Sequence, residues 1–419
     1  MTATASPPPH PPPPLPPPTF RQSLAVFPRA FWILVGAIFV NKFGVFVLPF
    51  LTLFVTRKGY AEADAGFAAG LYSVGSFAAA MIGGWLADRF GRNITMAMAS
   101  LGGAACMLGF SQADSLPILI TLSLLTGFIS ESGNPASSAM VQDLIEPHHR
   151  INAYAVLRFA VNLGWCMGPA VAGWLAEHNF VWLFIGDAIT SAFFGLIAWI
   201  FLPRGIPAPR QHSGWSVALK HMSGNRAFIW LAVAQIFLAF NFRQLNTSFP
   251  LHLDRQGHSL QYYGWIQALN GIMICTLELA LLTITRHLPT RLILGLGYAI
   301  MGSSFMFFFD GTSLGIFVLV MMIFTIGEMF AFSRQQAYIA SLAHTEMRGR
   351  YSGFMSLAWC VGSSSSAMLG LQLYGHNPSL LWITCLIFGF IGTACLTLPA
   401  TRATQPDSPS PQTAPSPAR

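Results

Sequence analysis

Residues Gly83–Asn93 read GGWLADRFGRN, a short charged knot between two long apolar runs. Each residue type in it has a use at a membrane surface. Gly84 is small enough to let its helix approach a neighbour closely, as small residues do in lipid. Gly91 supports a tight turn. Asp88 puts a carboxylate where it can meet the positive N-terminal end of another helix. Arg89 and Arg92 hold the loop on the inner side and can pair with acids such as Asp143.

The apolar runs continue along nearly the whole chain. Of 419 residues, 53% are hydrophobic and 9% charged, against about 25% charged in a soluble domain. That is too little charge to coat a water-facing surface. The 35 Phe and 11 Trp suit lipid-facing helices with interfacial aromatics. A span needs about 20 apolar residues. Twelve segments qualify: 31–55, 66–87, 94–112, 116–142, 152–176, 180–202, 227–250, 263–285, 291–309, 314–342, 352–374 and 378–399. Several are long, so tilt or extension beyond the bilayer is expected. The connections are short apart from the stretch near 203–226.

Charge placement tests the count. With the N-terminus inside, 15 of the 22 Lys and Arg fall in inner segments, while Arg57, Lys58 and Arg255 fall outside. This is a strong positive-inside bias, and adding or losing one span would scramble it. The expectation is a multi-pass protein of the inner membrane with both termini cytoplasmic and the lipid bilayer as its surroundings. The net charge of +7 forms no continuous stripe, so nucleic acid is not expected as a partner. Residues 1–28 and 400–419 read as disordered Pro-rich tails. The first has no basic n-region or apolar h-region and is not a signal peptide. Two six-span halves are expected at 29–202 and 227–399, joined by a cytoplasmic linker at 203–226. In the linker, Trp215, Ala218, Leu219 and Met222 recur at helical spacing beside Lys220 and Arg226, which suits a short helix on the inner membrane face. The six cysteines all lie in apolar runs without a CxxC pair, so neither a disulfide nor a metal site is implied.

The halves are also related in sequence. LGWCMGPAVAG at 163–173 matches LAWCVGSSSSA at 357–367, with Trp165, Cys166 and Gly168 falling on Trp359, Cys360 and Gly362. Arg150 and Tyr154 sit near the places of Arg348 and Tyr351. These are spans 5 and 11, and a six-helix offset is what two tandem halves produce. The fold class is an all-α membrane protein of twelve transmembrane helices in two pseudo-symmetric six-helix halves.

At this point the knot has a context. Gly84, Asp88, Arg89, Gly91 and Arg92, set between spans 2 and 3, resemble the cytoplasmic signature of the major facilitator superfamily, roughly G-x-x-x-D-R/K-x-G-R-R/K; Asn93 departs at the last place. Gly164, Gly168, Pro169 and Gly173 in span 5 resemble the G-x-x-x-G-P-x-x-G-G motif of the drug:proton antiporter branch, with Ala172 in place of one Gly. Two departures stand beside these matches. The loop TRHLPTRL at 285–292 carries no second signature, and Ser123 occupies the place of an Arg that the branch usually has before Gly127. The resemblance implies a secondary transporter and not an enzyme, with no cofactor. It implies that Asp88 meets the start of span 11 near Ser352, and that spans 1, 4, 7 and 10 line a central cavity. A monomer is expected.

The charges inside the spans are the candidate functional core. They are Lys42, Arg158, Arg243 and Arg334 against Glu131, Asp187, Glu278 and Glu328. Charges in lipid are costly, so they face the bundle interior and pair, or line a cavity. Glu131 and Glu328, near mid-depth of spans 4 and 10, are the candidate proton-coupling groups. Lys42 is a candidate partner for Glu131, and Arg158 for Asp143 or Glu131. Arg334 lies six residues from Glu328, about 9 Å along a helix axis, which leaves Glu328 the freer carboxyl. Asp187 reads as structural. Lys42, Arg158, Arg243, Glu278 and Arg334 are the charge partners of the expected cavity. Asn41, Phe46, Asn241, Gln244, Asn270 and Gln335 are its candidate substrate contacts. An aromatic cavity with few charges suits a small-molecule cargo of amphipathic organic character, exported by alternating access with protons as coupling ion. The alternative is the same fold moving sugars, amino acids or lipids, uniport included. A membrane-embedded enzyme would need a metal or nucleophile constellation, and the chain has no HExxH or GxSxG.

Overall fold

The computed structural model describes residues 20–205, 215–309, 311–343 and 347–397. The tail segments 1–19 and 398–419 and linker residues 206–214 lie outside the described residues. Among the described residues every regular element is helical. The twelve spans are Arg29–Arg57, Glu62–Phe90, Arg92–Gln112, Leu116–Leu144, Asn152–His178, Phe180–Phe201, Arg226–Arg255, Leu260–Ile284, Thr290–Phe308, Leu314–Leu342, Gly349–His376 and Pro378–Thr397. A helix satisfies its backbone within itself, the condition for crossing hydrocarbon. Twelve crossings put both ends of the described chain on one face, the terminal face.

Two short helices lie outside the spans. Phe20–Val26, assigned from composition to a disordered tail, is helical. Its buried Ser23 bonds to His149 at 2.9 Å and accepts from Asn152 at 2.7 Å. The linker helix runs from Trp215 to Gly224. His221 meets the Tyr351 hydroxyl at 2.7 Å and Asn225 donates to the Leu342 carbonyl at 3.0 Å, which ties the linker to the second half.

Packing repeats at six spans. Span 1 packs on 5 and 6, span 2 on 4, and span 3 on 4 and 6; span 7 packs on 11 and 12, span 8 on 10, and span 9 on 10 and 12. The halves meet along two seams, span 5 with span 8 and span 11 with span 2. Both seams use glycine, because a missing Cβ lets helix backbones touch. A Cβ on Gly264 would run into the Pro169 carbonyl, one on Gly173 would stand 2.7 Å from the Leu260 carbonyl, and one on Gly66 would strike the Ala367 carbonyl. Gly164 and Gly168 press instead on Lys42 and Phe43 of span 1, so the span 5 motif holds two neighbours at once. Gly84 departs from expectation. A side chain there would enter open space, and Gly83 makes the close contact, with Ser132 and Pro135 of span 4. Adjacent residues point about 100° apart on a helix, and two neighbouring glycines do not reveal which faces inward. Gly91 turns the chain as expected, at φ 98°.

Four spans are interrupted: span 1 between Phe43 and Leu48, span 4 at Ser132, span 7 from Gln244 to Thr247, and span 10 at Ser333–Arg334. Three breaks have one cause. Pro49, Pro135 and Pro250 stand in the first turn of the segment after the break. There a proline is tolerated, while its ring excludes continuation of the preceding helix. The breaks in spans 1 and 7 lie toward the face opposite the chain ends, and those in spans 4 and 10 toward the terminal face. On the opposite face the segments after the breaks bind across the halves. Thr52 donates to the Thr247 carbonyl at 3.1 Å, Arg57 pairs with Asp254 at 2.6 Å, and Phe50 meets Tyr263 edge-on at 5.1 Å. Arg255 pairs with Glu62, and Ser259 donates to Glu177. That face is closed.

Gly264→Val should lower the thermal unfolding midpoint of the detergent-solubilised protein, since overpacking costs about 1–3 kcal/mol. Gly84→Ala, entering open space, should leave the midpoint unchanged or raise it.

Candidate functional site

The breaks coincide with four of the charges inside the spans. Lys42 is the penultimate residue of the first segment of span 1, Glu131 and Arg243 are the last residues before the breaks in spans 4 and 7, and Arg334 lies in the break of span 10. A helix break frees backbone groups that need partners, and it turns side chains toward the bundle interior.

In the first half these residues surround a cavity of about 290 Å³. Its walls include Asn41, Lys42, Tyr72, Glu131, Asn134 and Asp187, with Phe110, Trp165 and Phe194 as aromatic surface. Glu131 is held by neutral donors. The Tyr72 hydroxyl donates to Oε1 at 2.9 Å, and Asn134 donates to Oε2. Behind Tyr72 lies the second half: the Arg243 guanidinium sits 5.8 Å from the Tyr72 ring centroid and donates to the Ala69 carbonyl at 3.5 Å. Glu131, Tyr72 and Arg243 form a line from the cavity to the other half.

The second half repeats the carboxylate and its donor. Asn270 of span 8 donates to Glu328 of span 10 at 2.7 Å and to Thr325 at 3.0 Å. Tyr72 and Asn270 are 198 residues apart, and Glu131 and Glu328 are 197 apart. Neither carboxylate has a basic nitrogen within 4.0 Å among the described residues.

Several expected pairings are replaced by others. Lys42 does not pair with Glu131; it shares the cavity with Asp187 as well. Arg158 meets neither Asp143 nor Glu131 but Glu278, at 2.6 Å across the seam of spans 5 and 8. Each stands six residues from its span's end on the terminal face, about 9 Å deep. Arg334 is clear of Glu328, as its spacing required. It donates to the carbonyls of Leu282 and Leu288 and to Thr285, capping the end of span 8. Asp88 does not reach span 11; it pairs with Arg92, whose Nε lies 3.4 Å from Asp143. Arg89 lies over the rings of Trp85 and Phe90.

Of the expected substrate contacts, Asn41 lines the cavity. Phe46 is buried at 3% exposure against Phe43 and Gly186. Asn241 donates to the Cys385 carbonyl at 3.0 Å, and Gln335 bonds to Gln235. Gln244 closes the break of span 7: its amide donates to Ser366 at 2.9 Å and its oxygen accepts from Thr247 and Ser248. Tyr72 and Asn134 had no charge or motif to mark them. The signal available for Asn134 was Pro135, which makes the break.

The matching family model is that of the Major Facilitator Superfamily, over residues 30–367. The chain belongs to the Major Facilitator Superfamily. Members of the superfamily are transporters, and the chain is a multi-pass membrane transporter rather than an enzyme. It is 27% identical to a Na(+), Li(+), K(+)/H(+) antiporter of Planococcus maritimus, covering 78% of this chain and 85% of that one. It is 26% identical to the multidrug resistance protein MdtH of Yersinia pestis, covering 84% and 89%. Among solved structures, a mutant form of the peptide transporter POT in complex with sulfate superposes at a TM-score of 0.76 with 17% identity, covering 90% of this chain and 97% of that one. That likeness concerns the superfamily fold alone.

Tyr72→Phe keeps the ring under Arg243 and removes the donor to Glu131, a bond to a charged acceptor worth about 1.5–3 kcal/mol. Gradient-driven transport should fall at least roughly tenfold, the equivalent of about 1.4 kcal/mol, with folded protein still obtained and the melting midpoint lowered by no more than several degrees. Reversing one charge of the Arg158–Glu278 pair should impair transport, and the double reversal Arg158→Glu with Glu278→Arg should recover most of it, read by uptake into vesicles.

Proposed function

We propose that the protein is a proton-coupled exporter of small amphipathic organic compounds, working by alternating access in the inner membrane with its terminal face in the cytoplasm. One observation carries the reading: two repeat-related carboxylates, Glu131 and Glu328, lie at mid-depth, held by neutral donors alone. A buried carboxylate kept for structure is paired with a cation, because an uncompensated charge in low dielectric is expensive. One without such a partner can shed its charge by taking a proton, which is what a coupling group does. The interrupted spans supply the moving parts. Leu48–Arg57 and Ser248–Arg255 form one gate, and Gly133–Leu144 and Gln335–Leu342 stand where the other would close. Lys42 and the aromatic wall of Phe110, Trp165 and Phe194 would take a cargo with both polar and apolar parts.

A second reading has its own observation. The cavity's 290 Å³ falls just under the roughly 300–1,000 Å³ of pockets for drug-sized ligands. Asn41, Ser100, Thr126, Ser130 and Asn134 offer neutral oxygens beside two carboxylates. Exchange of an alkali cation for protons fits that set, and the Planococcus relative is named for such exchange.

Proteoliposomes separate the two. Under an imposed pH gradient, a panel of amphipathic dyes and drugs should accumulate, accumulation should vanish with a protonophore, and sodium or potassium should not dissipate the gradient. Cation-dependent dissipation without dye movement would favour the second reading. Glu131→Gln and Glu328→Gln should each abolish gradient-driven accumulation while leaving cargo counterflow. If both variants kept full gradient-driven transport, the coupling assignment would be wrong.

A further inference from the structure

Asp187 on span 6 reads from sequence as support, and its surroundings say otherwise. The side chain is buried, yet it lines the first-half cavity with Lys42 and Glu131. One carboxylate oxygen accepts the backbone N–H of Val47 at 3.5 Å, and the other accepts the Ser191 hydroxyl at 3.2 Å. Val47 is the last residue of the break in span 1. The N–H groups that open a helical segment have no partner inside it and carry positive partial charge. Asp187 is therefore the anionic acceptor for the segment that follows, Leu48–Arg57. The seat is close-fitting: Thr190 of span 6 leaves no room for a side chain at Gly44, and Phe46 fills the space beside Gly186.

The segment so held carries closure of the opposite face, through Thr52, Arg57 and Phe50. We propose that Asp187 is a third coupling carboxylate, beside Glu131 and Glu328: on taking a proton from cavity water it weakens its hold on the start of Leu48–Arg57 and lets that segment swing from the second half. The step rests on the proton-coupled reading of the same cavity. A carboxylate is a much stronger acceptor than the neutral acid, so the long bond to Val47 depends on the charge. The titratable groups sharing the cavity are Lys42 of span 1, Tyr72 of span 2 and Glu131 of span 4; span 3 presents Ser100, Met107 and Phe110, and span 5 presents Leu157, Val161 and Trp165. Lys42 is the cation facing Asp187, and it makes no ion pair within 4.0 Å among the described residues. The second half has Cys385 at the offset that relates Tyr72 to Asn270. There Asn241 donates to a backbone carbonyl, and among the described residues no carboxylate is bonded at the break Gln244–Thr247 of span 7. The device belongs to one half.

The test uses the full chain with spin labels at Ala61→Cys and Gln256→Cys, both exposed on the opposite face in different halves, in a Cys275→Ser background. Pulsed dipolar distances are read between neutral and mildly acidic pH. Acidification should raise the population of the long-distance state several-fold. Asp187→Asn should remove the response, and Ser191→Ala should shift its midpoint. A response that survives in Asp187→Asn overturns the proposal. Should Asp187→Asn fail to give folded protein, an unmoved midpoint in Ser191→Ala overturns it instead, and a moved one supports it. A hinge that answers pH in a protein that moves nothing under a proton gradient would support this proposal and sink the proposed function.

Discussion

A backbone group left open inside hydrocarbon has no water to turn to, and this chain opens its backbone in four of twelve spans. The rest of the structure answers to that constraint. Each opening needs donors and acceptors from another part of the chain, so the interrupted spans are tied to particular neighbours. Gln244 and Ser366 close the break in span 7, and Asp187 takes the free N–H of span 1. The π-helical turn Ser366–Gly370 of span 11 lies where Gln244 and the span 2 seam both reach it. Unwound turns of this kind recur at functional sites.

The two halves use one packing plan for unequal chemistry. Span pairs correspond throughout, and so do the carboxylates Glu131 and Glu328 with their donors. The donors differ: a phenol in the first half, an amide in the second. The phenol has a guanidinium from the opposite half over its ring, and the amide's other bond goes to a hydroxyl in its own half. Among the described residues, the first-half carboxylate is thus the one whose donor is touched by a charge from the other half.

Much of the fold was legible because a membrane imposes length and sign. Twelve apolar runs, a charge bias and the WCxG repeat specified spans whose observed ends differ from expectation by a few residues. The candidate site was only partly legible. Charge marked Lys42, Glu131, Arg243 and Glu328, since a charge in lipid needs a reason to be there. It could not tell which charges meet, because partners such as Arg158 and Glu278 lie 120 residues apart and are set by helix rotation. The same limit hid Gly83 behind Gly84. Tyr72 escaped because an uncharged aromatic in an aromatic-rich span carries no mark. The breaks were written in Pro49, Pro135 and Pro250, and the length of the apolar runs masked them.

The cavity has a consequence for how the protein is made. All its walls come from residues between Ile38 and Phe194, so no wall waits for the second half to be synthesised. The pocket can be finished when the sixth helix has entered the bilayer, while spans 7 to 12 are still on the ribosome. What the later half adds is not wall but contact from behind, made by Arg243 against the Tyr72 ring and by the segment that binds Leu48–Arg57. The walls of the chamber are thus complete in the chain before the contacts that close the opposite face.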